Sequence, residues 1–260
     1  MIPTTRYKID ALAHGLEILS LFNTDRPSMN FSEVVSASNL SKSKTFRILS
    51  TLEALGYLER NLSTRTYRPG LKVLQLGFTA LNSLEIAQKA QPYLKSLSDE
   101  TGETTNMAIR DGAEIIYIAR IVTEKIISVN LYRGSRLPVH CTSMGKALLI
   151  DLSPEELENL LGSGPYFRNT PNTITCINDL LTELERIRRR GFSINNEELA
   201  FGLFSVAAPI RNHAGKIIAA INVSVPGSHM SQRELERNIA PKVVNVAELI
   251  SSSLGATHLD

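Results

Sequence analysis

Apolar positions at spacings of three and four open the chain. In KIDALAHGLEILSLF (8–22), Leu12, Leu16, Leu19 and Phe22 fall on one side of a 3.6-residue turn, which predicts an amphipathic helix. A polar loop with Pro27 follows. Asn30, with Glu33 three residues on, marks the capped start of a short helix over FSEVVSAS (31–38). Ser41 is the cap expected for a third helix, which runs to Leu55 and stops at Gly56, a residue that takes the left-handed conformation at little cost. In this helix Lys42, Lys44 and Arg47 lie on one side, and Phe46, Leu49, Leu52 and Leu55 on the other. Two extended pieces, 57–60 and 66–69, flank a polar turn and predict a small hairpin. Three helices and a hairpin in this order predict a winged helix-turn-helix.

Helical spacing returns at Leu71, Leu74, Phe78 and Leu81, as expected of a linker helix, and continues over 85–102, where Pro92 predicts a kink or restart. The texture changes at residue 103. TTNMAIR and EIIYIARIV are rich in β-formers and are separated by Asp111-Gly112, a hairpin signal. IISVNLY (126–132) predicts another strand. MGKALLID, SPEELENLLG (Ser153 as cap, Pro154 in the first turn) and INDLLTELERIRRRG predict helices. FSIN, SVAAPIR and KIIAAINVSVP predict strands, and 231–255 a closing helix broken near Pro241. The pattern is α+β: an N-terminal winged helix-turn-helix (1–70), a linker helix (71–84) and a C-terminal antiparallel-sheet domain (85–260).

Composition narrows the class. The chain has 260 residues, 43% of them hydrophobic and 21% charged, as expected for a globular protein. No apolar run reaches the ~18–20 residues that span a bilayer, and MIPTTRYKID has no signal-peptide core. With only Cys141 and Cys176 there is no disulfide framework, so a cytoplasmic protein with reduced thiols is expected. Residues 1–70 hold nine Lys/Arg against six Asp/Glu, and the remainder nineteen against twenty. The mild basic bias sits where the helix-turn-helix is.

That bias gives the third helix a chemical reading. The second helix of such a motif enters the major groove with its N-terminal residues at base edges. Here those residues are Ser41, Lys42, Ser43, Lys44 and Thr45, with Arg47 on the same outer face and Arg60 and Arg65 on the wing. Hydroxyls, amines and guanidinium groups bond phosphates and base acceptors. A solvated basic face is the alternative reading for the helix alone. A few cations on one monomer bind weakly, so specific recognition of double-stranded DNA implies a homodimer reading two half-sites, with the linker helix as a candidate contact.

In the second domain, HCTSMGKALL opens a helix after a proline, and its free N–H groups near Ser143 and Met144 suit an anion. Asn222 and Ser224 are two apart on a strand and share a face. A few polar groups in an apolar setting are how small-ligand sites are built.

ALAHGLEILSLF, LSKSKTFRILSTLEALGYLER, GSRLPVHCTSMGKALL, GFSINNEELAFGLFSVAAPI and AAINVSVPG together resemble the IclR family of bacterial transcription regulators, over nearly the whole chain. The resemblance implies a DNA-binding domain, an effector domain that senses a small organic acid, and dimers or dimers of dimers. It puts effector contacts at Ser143, Met144, Asn195, Ser205, Asn222 and Ser224, and an apolar lining at Ile126, Val129, Leu137 and Leu203. Asn195, Ser205 and Asn222 stand where the family more often has Asp, Cys and Ser. Neutral groups thus replace a charge and a thiol. The expectation moves from small 2-oxo acids toward aromatic acids degraded through β-ketoadipate, such as protocatechuate or 4-hydroxybenzoate.

Enzyme readings are weaker. His140-Cys141 invites a cysteine nucleophile, but neighbours in sequence need not face each other. GSRLPVHCTSMGKA misses the spacing of a phosphate loop, and the five histidines are scattered without metal-ligand spacing, so no cofactor is expected. Glu197 and Glu198 suggest a helix start rather than an acid–base pair. The second class left open is a small-molecule-binding or hydrolytic C-terminal domain with an N-terminal interaction module. Retention of promoter DNA separates it from a regulator.

Overall fold

A computed structural model describes residues 8–23, 26–123, 131–227 and 229–256. The chain divides into two compact units, Met1–Ser83 and Leu84–Asp260.

In the first unit, helices α1 (Asp10–Ser20), α2 (Phe31–Ser38) and α3 (Lys42–Ala54) pack with a three-stranded sheet of β1 (Met29–Asn30), β2 (Leu58–Asn61) and β3 (Thr66–Pro69), in the order β1-β3-β2. The capping box of α2 is present: Glu33 N–H donates to Asn30 Oδ1 (3.1 Å), and Asn30 N–H donates to Glu33 Oε2 (2.7 Å). Ser41 Oγ accepts from Lys44 N–H at the start of α3. The core holds Ile18, Met29, Val34, Leu49, Leu52 and Leu58.

Two apolar faces differ from expectation. On α1 only Ile18 is fully buried, and Leu12 and Leu16 are 60% and 57% exposed. On α3 the buried stripe is Thr45, Leu49 and Leu52, an i, i+4, i+7 row, while Phe46 and Leu55 are exposed. α4 (Leu71–Asn82) closes the unit, with Leu71, Leu74, Leu76 and Phe78 exposed.

The second unit is a six-stranded antiparallel sheet of order β6-β5-β4-β9-β8-β7. Its strands are β4 (Thr104–Asp111), β5 (Glu114–Ile121), β6 (Arg136–Pro138), β7 (Ser193–Asn196), β8 (Leu203–Arg211) and β9 (Ile217–Pro226). β6 was not expected. Of the predicted strand 126–132, residues 126–130 lie outside the described residues, and Leu131 and Tyr132 form no strand.

α5 (Glu85–Thr101) and α10 (Ala240–Ser253) cover one face of this sheet, packing Leu94, Leu97, Val243 and Ile250 against Ile221 and Val223. α5 runs unbroken through Pro92, because its buried Ala90, Leu94 and Leu97 hold both halves on the sheet. The break near Pro241 is a π turn, Leu235–Ile239, between the short α9 (Gln232–Glu234) and α10. On the other face sits α6 (Ser143–Leu149), buried along its whole length, with α7 (Pro154–Leu161) and α8 (Ile177–Arg190) outside it. Gly145 lets α6 sit this close, since a Cβ there would lie 2.3 Å from the Val139 carbonyl oxygen.

Candidate functional site

The α3 end of the first unit is the candidate nucleic-acid interface. Ser41, Lys42, Ser43, Lys44 and Arg47 are all exposed. Thr45 is not: it is 0% exposed, and its Oγ1 is buried without a hydrogen-bond partner. Thr45 therefore leaves the list of contacts, because the helical period turns it into the core beside Leu49. On the wing, Arg60 is exposed and its guanidinium lies 5.5 Å from the Tyr67 ring centroid. Arg65 has φ 56° at the tip of the hairpin and is exposed. Arg68 is engaged by Glu59 (2.8 Å). A groove of about 860 Å³ between α1 and α3 is lined by Leu12, Leu16, Leu52, Leu55 and Leu76, with Lys44 and Arg47 at its edge.

The second unit builds a polar row on the sheet face that α6 covers. Register sets it. Arg120 of β5 pairs with Asn106 of β4, and Asn106 with Asn222 of β9. Ser224 pairs with Ser205 of β8, and Ser205 with Asn195 of β7. One step along the strands the same face is apolar, with Tyr117, Ala108, Ala220 and Ala207 in the core beneath α6. The polar row and Ser143 of α6 enclose a cavity of about 20 Å³, to which Leu131, Leu199 and Leu203 add apolar wall.

Its hydrogen bonds join strands to helix. Asn106 Nδ2 donates to Asn222 Oδ1 (2.8 Å) and Ser224 Oγ (3.3 Å). Asn222 Nδ2 donates to Ser143 Oγ (3.4 Å), and the Ser143 and Ser205 hydroxyls share a bond of 2.7 Å. Asn195 Oδ1 accepts from Glu198 N–H (2.8 Å). Two kinds of group lining the cavity are left without partners: Asn106 Oδ1, and Nε and Nη1 of Arg120. Burial pushes the Arg120 guanidinium down and the Tyr117 phenol, whose ring lies under it, up to about 12.

Of the expected effector contacts, Ser143, Asn195, Ser205, Asn222, Ser224 and Leu203 thus meet at one cavity. Met144 and Leu137 do not line it. Met144, the next residue round α6 from Ser143, packs in the core, and Leu137 packs against the same core from β6. Ile126 and Val129 lie outside the described residues. At the N-terminal turn of α6, Thr142 Oγ1 accepts from Gly145 N–H and donates to the Pro138 carbonyl oxygen.

Arg120, Asn106 and Tyr117 were missed. Strict alternation along EIIYIARI puts Arg120 on the face opposite Tyr117. A β-bulge overturns it: Met107 pairs with Ala119 and Ala108 with Tyr117, so Ile118 has no partner and the phase of the strand reverses. Ile118 and Ala119 both enter the core on the α5 side, and Arg120 returns to Tyr117's side.

Glu198 also departs from expectation. It starts no helix; its carboxylate pairs with Lys146, which is 1% exposed. Burial pushes the Glu198 carboxyl up, and Lys146 pulls it back. Such a pair is costly to break from one side, by about 3–5 kcal/mol. Glu197 takes φ 55° and accepts from Gly202 N–H.

The His140-Cys141 pair makes no nucleophile. Burial pushes the Cys141 thiol up to about 12, and Asn169 Nδ2 donates to its Sγ. His140 Nε2 faces the Phe167 carbonyl oxygen at 3.2 Å. Among the described residues no cluster of three or more His, Cys, Asp or Glu could hold a metal, and no helix is long and apolar enough to cross a membrane.

Residues 11–62 match the IclR helix-turn-helix domain, and residues 78–252 match the bacterial transcriptional regulator IclR C-terminal domain. The chain belongs to the IclR family of bacterial transcriptional regulators. Its IclR relatives include the HTH-type transcriptional regulator XynR of Escherichia coli K12, 34% identical over 95% of this chain and 98% of its own. The Pca regulon regulatory protein of Pseudomonas putida is 36% identical over 89% and 79%. Among solved structures, a transcriptional regulator of Rhodococcus sp. RHA1 (34% identity, 95% and 98% coverage) superposes with a TM-score of 0.79. An IclR homologue of Microbacterium hydrocarbonoxydans complexed with 4-hydroxybenzoate (26% identity, 95% and 100% coverage) gives 0.78. The protein is thus a DNA-binding regulator with an effector-binding C-terminal domain, and membership places it among regulators rather than enzymes.

Proposed function

We propose that this IclR-family regulator acts as a cytoplasmic homodimer, and as a dimer of dimers on longer sites. It binds a double-stranded DNA operator through 1–70 and reports, across the linker helix 71–84, on a small organic acid held in 85–260. The observation that carries the effector half is the cavity itself. Buried Ser143, Ser205, Asn222 and Ser224 converge on one space inside an otherwise apolar core. Small-ligand sites are made this way.

On the DNA side, exposed Ser41, Lys42, Ser43, Lys44 and Arg47 meet groove edges and phosphates, and Arg60 and Arg65 meet the backbone beside them. Two heads are needed because each supplies few cations. The uncovered apolar faces of α1 (Leu12, Leu16) and α4 (Leu71, Leu74, Leu76, Phe78) support a second copy as their cover.

The cavity's size bears on the switch. About 20 Å³ admits roughly one water-sized group. An acid therefore binds a state whose wall has opened, and differential affinity for open and closed states is what lets a ligand shift an equilibrium. The resemblance to aromatic-acid regulators, including the relative complexed with 4-hydroxybenzoate, supports an aromatic acid as the finer class.

Calorimetry tests the cavity. Ser224→Ala removes one acceptor of Asn106 Nδ2. It is expected to weaken acid binding by about 3- to 10-fold while operator binding without acid stays as in the wild type. Equal acid affinity in both proteins removes this cavity from the account.

A further inference from the structure

The bulge at Ile118 carries a cation to a place where no carboxylate of the described residues pairs with it. Arg120 has no ion pair among the described residues, and two of its guanidinium nitrogens are buried without an acceptor. Directly across the strand pair, Asn106 is 1% exposed. Its amide nitrogen is used twice and its Oδ1 not at all. Both residues line the same small cavity. Unmet donors on a cation and an unmet acceptor beside it suit a molecule with an anion at one end and a hydrogen-bond donor at the other.

We infer that the effector is a hydroxy-substituted carboxylate, with its carboxylate on the Arg120 guanidinium and its hydroxyl donating to Asn106 Oδ1. The inference rests on reading the cavity as the effector site and adds its specificity. Cross-strand partners stand about 5 Å apart at Cβ, so both ends fit one small molecule. A single water satisfies the hydrogen bonds of a 20 Å³ cavity but leaves the charge of the half-buried guanidinium unbalanced. A carboxylate supplies both the acceptor and the charge. Arg120 is then what makes the site acid-selective, while Ser143, Ser205 and Asn222 serve as neutral wall.

The test uses the full chain, two ligand series and one variant. The aromatic series is 4-hydroxybenzoate, 4-hydroxybenzamide and benzoate; the aliphatic series is lactate, lactamide and propionate. Thermal shift and calorimetry read binding to the wild type and to Arg120→Met. The hydroxy acid of one series is expected to raise the wild-type Tm. Its amide is expected to bind about 10- to 100-fold more weakly and its deoxy acid about 3- to 10-fold more weakly. Arg120→Met is expected to lose the acid's preference over the amide, with its own ligand-free Tm at or above that of the wild type, since an unpaired buried charge has gone. Equal acid binding by wild type and Arg120→Met overturns the inference, as does amide binding as tight as acid. A lower ligand-free Tm for the variant with acid selectivity intact makes Arg120 a structural residue and overturns it too. If no acid of either series binds the wild type, the reading of the cavity as an acid site fails as well.

Discussion

Tyr117 and Cys141 each hold a proton longer than water would allow. Burial raises both to about 12, from ordinary values of 10.0 and 9.0. The unfolded chain releases these protons near pH 9–10, and the native chain keeps them to about pH 12. Their contribution to stability is therefore complete below about pH 9 and is lost as pH rises through 12. The urea midpoint is expected to fall between pH 8 and pH 10.5, and a Cys141→Ala, Tyr117→Phe double variant to show a smaller fall. An equal fall in both proteins shows that these groups are not buried as described. The same residue-level chemistry disposes of a cysteine nucleophile, since a thiol held protonated is inert. None of it was legible in the sequence. His140-Cys141 and Glu197-Glu198 are adjacent pairs, and only the fold separates them: Cys141 to Asn169, Glu198 to Lys146.

Among the elements, legibility followed local chemistry. The cap at Asn30 with Glu33, the wing hairpin and the cap at Ser153 formed where the sequence put them, because the caps are closed by partners three residues away and the hairpin by partners five to eleven residues away. Faces were harder. On α3, the apolar side from Phe46 to Leu55 loses its ends to solvent, and Thr45, a polar residue at the right period, takes the buried place. β5 failed for a different reason. One bulged residue inverts everything beyond it, and no local signal in EIIYIARI announces the bulge, whose partner strand lies across a turn. Lys44→Ala and Arg47→Ala are each expected to weaken operator binding and to lower the salt-dependence slope by about 1, with the oligomeric mass unchanged. Both residues also edge the apolar groove between α1 and α3. An unchanged slope with a change in mass assigns them to contacts between copies instead.

The whole molecule couples two chemistries. One unit offers exposed cations to a polyanion, and the other holds a half-buried cation that has no ion pair among the described residues. The α+β plan of a helix-turn-helix followed by an antiparallel-sheet domain was readable from periodicity, and the family from its motifs. Cavity size and the placement of Arg120 were not: the cavity depends on strands more than a hundred residues apart meeting in one register, and Arg120 on an unannounced bulge between β4 and β5. If the acid shifts DNA affinity, DNA shifts acid affinity by the same factor. The most direct measurement is therefore a titration of the DNA upstream of the chain's own gene at fixed moderate salt. It is done without acid and with a saturating amount of the hydroxy acid that gives the largest thermal shift, and the acid is then titrated with and without DNA. The predicted result is sequence-specific binding whose affinity changes at least about 5-fold with acid, matched by the reciprocal change in acid affinity. The same DNA affinity with and without bound acid contradicts the account.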